Sequence, residues 1–159
     1  MSSVPPIPEG YPEVTPYLIV TPAEKALDFY RDAFGAREQM RMHGPGGKIG
    51  HAEIRIGKSP IMLADEFPEM DCRSPKSFGG SPVSIHVYVP DVDAVTQQAV
   101  AAGAELLRPV QNMFYGNRTS TVKDPFGHTW HLATCIEILT DEEIRQRMAA
   151  MKKPECEAK

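Results

Sequence analysis

VTPYLIVTPAEKALDFYRDAFGA, residues 14–36, holds a short β-prone run, a proline just inside a helix start, and a helix that stops on glycine. In Thr15 to Val20 the apolar and β-branched residues predict a strand. In the TPAE that follows, Thr21 is placed to cap, Pro22 to take the first helical position and Glu24 to close a capping box. Leu27, Tyr30 and Phe34 recur at helical spacing, and Gly35 serves as the stop. Downstream, the glycine-rich GPGGKIG precedes HAEIRIG, where Ala52, Ile54 and Ile56 alternate with His51, Glu53 and Arg55. That is the period of a strand with one apolar and one polar face. PIMLA follows as a second strand across GKS, and a further strand is possible around Glu38 to His43.

The order recurs in the second half. VSIHVYV (Val83–Val89) reads as a strand, Asp91 caps a helix carrying Val92, Val95, Ala99 and Ala102, and Gly103 ends it. RTSTVKD and HTWHLAT then read as a strand pair joined at Asp124-Pro125-Phe126-Gly127. A shift of 69 residues places Val14 on Val83, Thr15 on Ser84, Val20 on Val89 and Leu63 on Leu132. Chance agreement of a few small residues competes with duplication. Matching cap, helix, stop and strand pair in one order favours duplication.

The organisation predicted is a proline-rich arm at 1–12, a module at 13–66, a linker at 67–82, a second module at 83–139, and a helix and tail at 140–159. Five of the fifteen prolines fall in the first sixteen residues, which favours extended chain there. The linker is rich in Pro, Gly and Ser, and its Phe67 and Phe78 could serve as a lid or as loop anchors. TDEEIRQRMAAMKK opens with a capping box (Thr140, Glu143) and carries Ile144, Met148 and Met151 on one stripe, expected to dock on the body or on a second subunit.

With 159 residues, 42% hydrophobic and 24% charged, the chain can bury a core without staples. Its pI near 5.7 and lack of Lys/Arg runs argue against a nucleic-acid partner. No apolar stretch suits a membrane span, and the start lacks the order of a signal peptide. Cys72, Cys135 and Cys156 form no framework, as expected of a cytoplasmic protein.

The duplicated β-α-β-β-β order, with FY…AFGA, HAEIRIG, MLADE and DPFGHTWHLAT, resembles the vicinal oxygen chelate superfamily, the glyoxalase and bleomycin-resistance type, in its PhnB-like branch. The resemblance covers about residues 13 to 145. It implies an α+β fold in which two tandem modules form a curved mixed sheet around a cavity, and a homodimer. The superfamily includes metal-dependent isomerases, dioxygenases and thiol transferases as well as metal-free drug-sequestering proteins, so fold alone does not choose the chemistry.

Its metal-ligand positions, on the first and last strand of each module, map here onto Thr15, Met62, Ser84 and His131. Only His131 suits a hard divalent cation. The expectation is therefore no metal and no cofactor, and a small organic ligand in the cavity. His131, His86 and Glu53 are the candidate acid–base residues. His51, Arg55, Tyr88, Met62, Phe114, Tyr115 and Arg118 are candidate ligand contacts, the last three as an aromatic pair beside an arginine for a planar anion. Residues two apart on a strand share a face, so Ser84, His86 and Tyr88 project together, as do His51, Glu53 and Arg55.

Duller readings accompany these. His51 and Glu53 could be a solvent-facing pair, His86 a satisfied structural histidine, and Cys135 and Met62 apolar filling. His128 and Trp130, of opposite parity to His131, read as structural. Ser120 stands where the branch usually has glycine, a departure that leaves the local turn and the pocket rim open. A displaced two-His, one-carboxylate site for Zn, Ni, Mn or Fe, serving a lyase, isomerase or dioxygenase, is the alternative function. A structural or regulatory dimer is the third.

Overall fold

Two four-stranded mixed sheets enclose a layer of two helices. The structure, a computed structural model, describes residues 4–151; Cys156 and the tail after Met151 lie outside the described residues. The first module comprises β1 (Tyr17–Val20), α1 (Ala23–Phe34), β2 (Arg37–His43), β3 (Ile49–Ile56) and β4 (Ser59–Asp65). A connection holding the short α2 (Pro75–Phe78) leads to β5 (Ser84–Tyr88), α3 (Val92–Ala101), β6 (Glu105–Asn112), β7 (Asn117–Lys123) and β8 (Thr129–Cys135); α4 (Asp141–Ala150) follows. The sheet orders are β1-β4-β3-β2 and β5-β8-β7-β6, each with one parallel pair at the β1 or β5 edge. The α+β fold of two β-α-β-β-β modules is thus present. β6, the strand least marked in the sequence, completes the second.

The duplication has a physical signature in the registers. Tyr17 pairs Met62 in β1–β4, and His86 pairs His131 in β5–β8, both shifted by 69. The middle strands instead obey 68: Arg37 pairs Arg55 as Glu105 pairs Lys123. The repeat extends to the helix starts. Asp65 at the end of β4 accepts the Ala23 N–H at 2.8 Å, and its 69-residue counterpart Thr134 in β8 accepts the Val92 N–H at 2.9 Å. Each helix is therefore capped by the last strand of its own module.

This corrects the expected box at α1. The residue before that helix is Pro22, with no side-chain hydrogen bond, and Thr21 instead accepts the Glu66 N–H. A backbone donor at a helix start needs an acceptor, and Asp65, reaching from a distant strand, supplies it. The local caps at Asp91 and Thr140 form as expected, as does the left-handed stop at Gly35.

Along α1, Ala23, Ala26, Leu27, Tyr30 and Ala33 are buried at helical spacing. They meet Ala52, Ile54 and Leu63 from the first sheet, and α1 also reaches the second. Trp130, wholly buried, lies 5.4 Å from the Tyr30 ring and 4.7 Å from Phe34. Such a ring removes about 150–250 Å² from water, on the order of 4–6 kcal/mol at about 25 cal/mol/Å².

Beneath this cluster sits Asp124, 3% exposed. Its Oδ1 accepts the N–H groups of Phe126 and His128, and its Oδ2 accepts the Tyr30 hydroxyl at 2.8 Å and the Trp130 indole N–H at 2.9 Å. One carboxylate thus shapes the turn and ties the first helix to the last strand. Burial, and then Asp124, push the Tyr30 phenol upward. His128 is structural as predicted, buried with Nε2 on the Ile19 carbonyl.

Other expectations change. Ser120 stands at no turn but in the middle of β7, buried, its hydroxyl 2.6 Å from that of Thr96 in α3. Cys135 is exposed at the end of β8 rather than core filling. α4 buries none of its residues; Met148 is 63% exposed, and an Arg147–Glu137 pair at 2.5 Å ties the helix to the body. Phe67 acts as an anchor, with the Lys48 ammonium 5.1 Å from its ring centre.

Candidate functional site

Because both sheets turn their apolar faces to the shared helices, their other faces look away from that layer. β1, β3 and β4 place Tyr17, His51, Glu53, Arg55 and Met62 on the first outer face, and β5 and β8 place His86, Tyr88 and His131 on the second. The predicted strand parities hold on both. Within one chain the two groups stay apart: no hydrogen bond or ring contact among the described residues joins them.

The first face is a connected chain of polar groups. Tyr17 Oη lies 2.9 Å from His51 Nδ1, and His51 Nε2 lies 3.1 Å from Glu53 Oε1. The Tyr11 hydroxyl donates to Glu53 Oε2. Arg55 donates to the Gly10 carbonyl at 2.9 Å and to the Lys58 carbonyl at 3.0 Å, and its guanidinium lies 5.4 Å from the Tyr11 ring centre. The proline-rich arm therefore lies across this face. Glu53 is only 9% exposed. The Tyr11 hydrogen bond holds its carboxyl below the usual carboxylate range against the opposing effect of burial, with His51 adding to the depression. Burial, first of all, raises the Tyr17 phenol.

On the second face, His86 and His131 are direct partners in parallel register, their rings 6.5 Å apart. His131 Nδ1 lies 3.0 Å from the Thr121 hydroxyl, and Tyr88 packs on His86 at 4.8 Å. Partial burial, and then the neighbouring His131, lower the His86 pKa, which keeps this imidazole neutral near pH 7. A hollow of about 220 Å³ collects His86, His131, Thr121, Arg108, Gln111 and Tyr115. A larger cleft of about 540 Å³ between the β3–β4 hairpin and β5 is mostly apolar, with Ile56, Ile85, Val87 and Val95 in its walls.

Two predicted ligand contacts are redirected. Arg118 is held by Asp93 through two hydrogen bonds of 2.6 and 2.7 Å and by Asn112 at 2.8 Å, so its fork is already filled. Phe114 packs edge-on against Tyr115, and only Tyr115 reaches the hollow. Their turn is held by Gly116, at φ 85°, where a Cβ would stand 2.5 Å from the Glu137 carbonyl oxygen.

Tyr11, Tyr17 and Thr121 were not anticipated. Tyr17 shares parity with Thr15 and is the residue that faces Met62. Thr121 becomes the counterpart of Glu53 once the middle strands are shifted by 68 instead of 69. Nothing in the arm's sequence marks Tyr11.

The residues across the first and last strands are thus Tyr17 and Met62 on one sheet and His86 and His131 on the other. Two imidazoles, a phenol and a thioether do not fit a divalent site of four protein ligands. No three His, Cys, Asp or Glu gather among the described residues.

Comparison with known proteins supplies the family. The model of the Glyoxalase/Bleomycin resistance protein/Dioxygenase superfamily matches residues 12–132. The chain belongs to that superfamily. A superfamily relative, an uncharacterised protein of Mycobacterium tuberculosis, is 41% identical over 142 residues, covering 87% of this chain and 84% of its own. Among solved structures, TioX from Micromonospora sp. ML1 has a TM-score of 0.61 at 26% identity, covering 81% of this chain and 100% of TioX. The PhnB protein from Bacillus cereus, described as a putative 3-demethylubiquinone-9 3-methyltransferase, has a TM-score of 0.59 at 19% identity, covering 77% of this chain and 99% of its own, a likeness of fold. The glyoxalase-type superfamily fold and its PhnB-like neighbour agree with the resemblance read from FY…AFGA and DPFGHTW.

Proposed function

We propose that this chain binds a small organic molecule on its outer sheet faces without a metal ion, and that a second copy closes the site by laying one module's face opposite the other's. The observation that carries this is the pairing of a built polar cluster with an open face on each sheet. His86 and His131 line a shallow hollow, while Tyr88, on the same face of β5, is 65% exposed. On the other sheet Tyr17 and Met42 are 48% and 52% exposed around His51 and Glu53. Aromatic and apolar groups around a few convergent polar atoms are the composition of an organic-ligand pocket. Any catalysis is proton transfer, with neutral His86 as acceptor and His131, held by Thr121, beside it.

The lyase, isomerase or dioxygenase alternative draws its support from the facing His86–His131 pair. Its remaining donors would come from a second copy's Glu53 and His51.

The test combines light scattering, elemental analysis and titration of metal-stripped protein with planar aromatic ligands. A dimer that binds such a ligand without metal, and loses it in His131→Ala, is the expected result. Stoichiometric Zn, Ni, Mn or Fe that disappears in Glu53→Ala combined with His131→Ala would refute the metal-free reading.

A further inference from the structure

The arm shows what the first outer face is built to hold. Its polar groups are all engaged within the chain: Tyr17 with His51, His51 with Glu53 Oε1, Tyr11 with Glu53 Oε2, and Arg55 with the carbonyls of Gly10 and Lys58. The two partners on the arm, Tyr11 and the Gly10 carbonyl, are the weakly held ones. Residues 4–10 are exposed throughout, Tyr11 is half-buried, and the arm's remaining hydrogen bond among the described residues is a turn from the Tyr11 N–H to the Pro8 carbonyl. β1 and β3, by contrast, are fixed in a sheet. Tyr11 is thus a side chain lent to a preformed receptor: a buried carboxylate accepts its hydroxyl, and a guanidinium covers its ring.

Resting on the reading that the outer faces bind ligand, we propose that the first face is a phenol-binding site, with Tyr11 as its built-in occupant and a ligand's phenolic ring taking the same place. Glu53 accepts the ligand hydroxyl, Arg55 covers its aromatic face, and the arm lifts as the ligand enters. The carboxylate selects a hydroxyl donor over an ether or a bare ring, because an aromatic ring without that donor leaves Glu53 Oε2 desolvated and unpaired. An arm docked about nine-tenths of the time lowers the apparent affinity for an external phenol about tenfold.

The probe is 4-ethylphenol, followed by nuclear magnetic resonance shifts of full-length protein, with 4-ethylanisole as the hydroxyl-blocked control. Tyr11→Ala is expected to bind 4-ethylphenol at least about tenfold more tightly than the unaltered chain, with shifts at His51 and Tyr17. Tyr11→Phe, which keeps the ring and loses the hydroxyl, is expected to fall between them. The anisole is expected to bind at least about tenfold more weakly than the phenol, and Glu53→Ala on the Tyr11→Ala background, which removes the acceptor, to abolish the difference. Equal affinity in the unaltered chain and Tyr11→Ala, equal binding of phenol and anisole, or no binding overturns the proposal. Shifts confined to His86 and His131 also overturn it, while leaving the broader ligand-binding reading standing. Loss of all aromatic binding at the His131 face is the separate failure of that broader reading.

Discussion

Replacing Asp124 with asparagine tests the central tie of the fold. The carboxylate receives four donors, two backbone N–H groups at Oδ1 and the Tyr30 and Trp130 side chains at Oδ2. An amide has only one oxygen, so whichever way it turns, its NH₂ faces a pair of donors. Two buried donors then lose their acceptor, at about 1–3 kcal/mol each, for a total of about 2–6 kcal/mol. For a chain of this size, each kcal/mol lowers Tm by about 2–4 °C, so a fall near 10 °C is expected by differential scanning calorimetry. Trp130→Phe removes one of the donors. In the double variant the asparagine is expected to cost about 1–2 kcal/mol less than in the parent, measured by urea midpoints. A Tm within about 2 °C of the parent, or strictly additive costs, would refute the role given to this carboxylate.

Further outcomes follow from the same geometry. Asp65→Ala removes the acceptor for both Ala23 N–H and Ile49 N–H and is expected to cost about 2 kcal/mol. Thr134→Val, its counterpart, is expected to cost about half as much in the same chemical denaturation. Gly116→Ala forces a Cβ toward the Glu137 carbonyl at a positive φ, and a loss of at least about 1 kcal/mol is expected, read as a lower urea midpoint. His86 is expected to titrate below 6.5, and His131→Ala to move its midpoint upward, followed by imidazole resonances. Folding therefore disfavours the His86 proton, and stability falls as pH drops through the window between the lowered value and 6.5. Glu53 has the opposite origin and the same direction: its depressed carboxyl contributes stability above the unfolded value, lost as pH falls through the folded one. Glu53→Gln is expected to flatten that acid limb of the Tm profile.

Much of this architecture was legible from spacing, because period and punctuation are local. Leu27, Tyr30 and Gly35 describe α1, and His51, Glu53 and Arg55 describe the polar side of β3. The helix cap at α1 was not legible, since Asp65 lies 42 residues from the N–H that it accepts. Thr21 and Glu24 satisfied the local rule while the tertiary partner prevailed. At the site, parity placed His86 and His131 together correctly. Parity says nothing of which chain segment lies over a face, so Tyr11 was invisible. It also cannot show that Arg118 is already occupied, since Asp93 is 25 residues away on α3. The single 69-residue shift hid Thr121, because the offset has already dropped to 68 at the first pairs of the β2 and β6 ladders and returns to 69 only at β4 and β8.

The helices shared between the sheets carry a consequence for how such a chain can come apart. Trp130 belongs to the second module, yet its neighbours Tyr30 and Phe34 belong to the first, so neither half closes its own interior. A fragment ending in the 67–82 connection would leave α1 with one side bare. It could become ordered only by finding a twin that supplies the missing surface. The covalent link therefore does what a high concentration of half-chains would otherwise have to do. It also frees the two halves to diverge, so that an acid with its phenol partner could arise on one sheet and a histidine pair on the other.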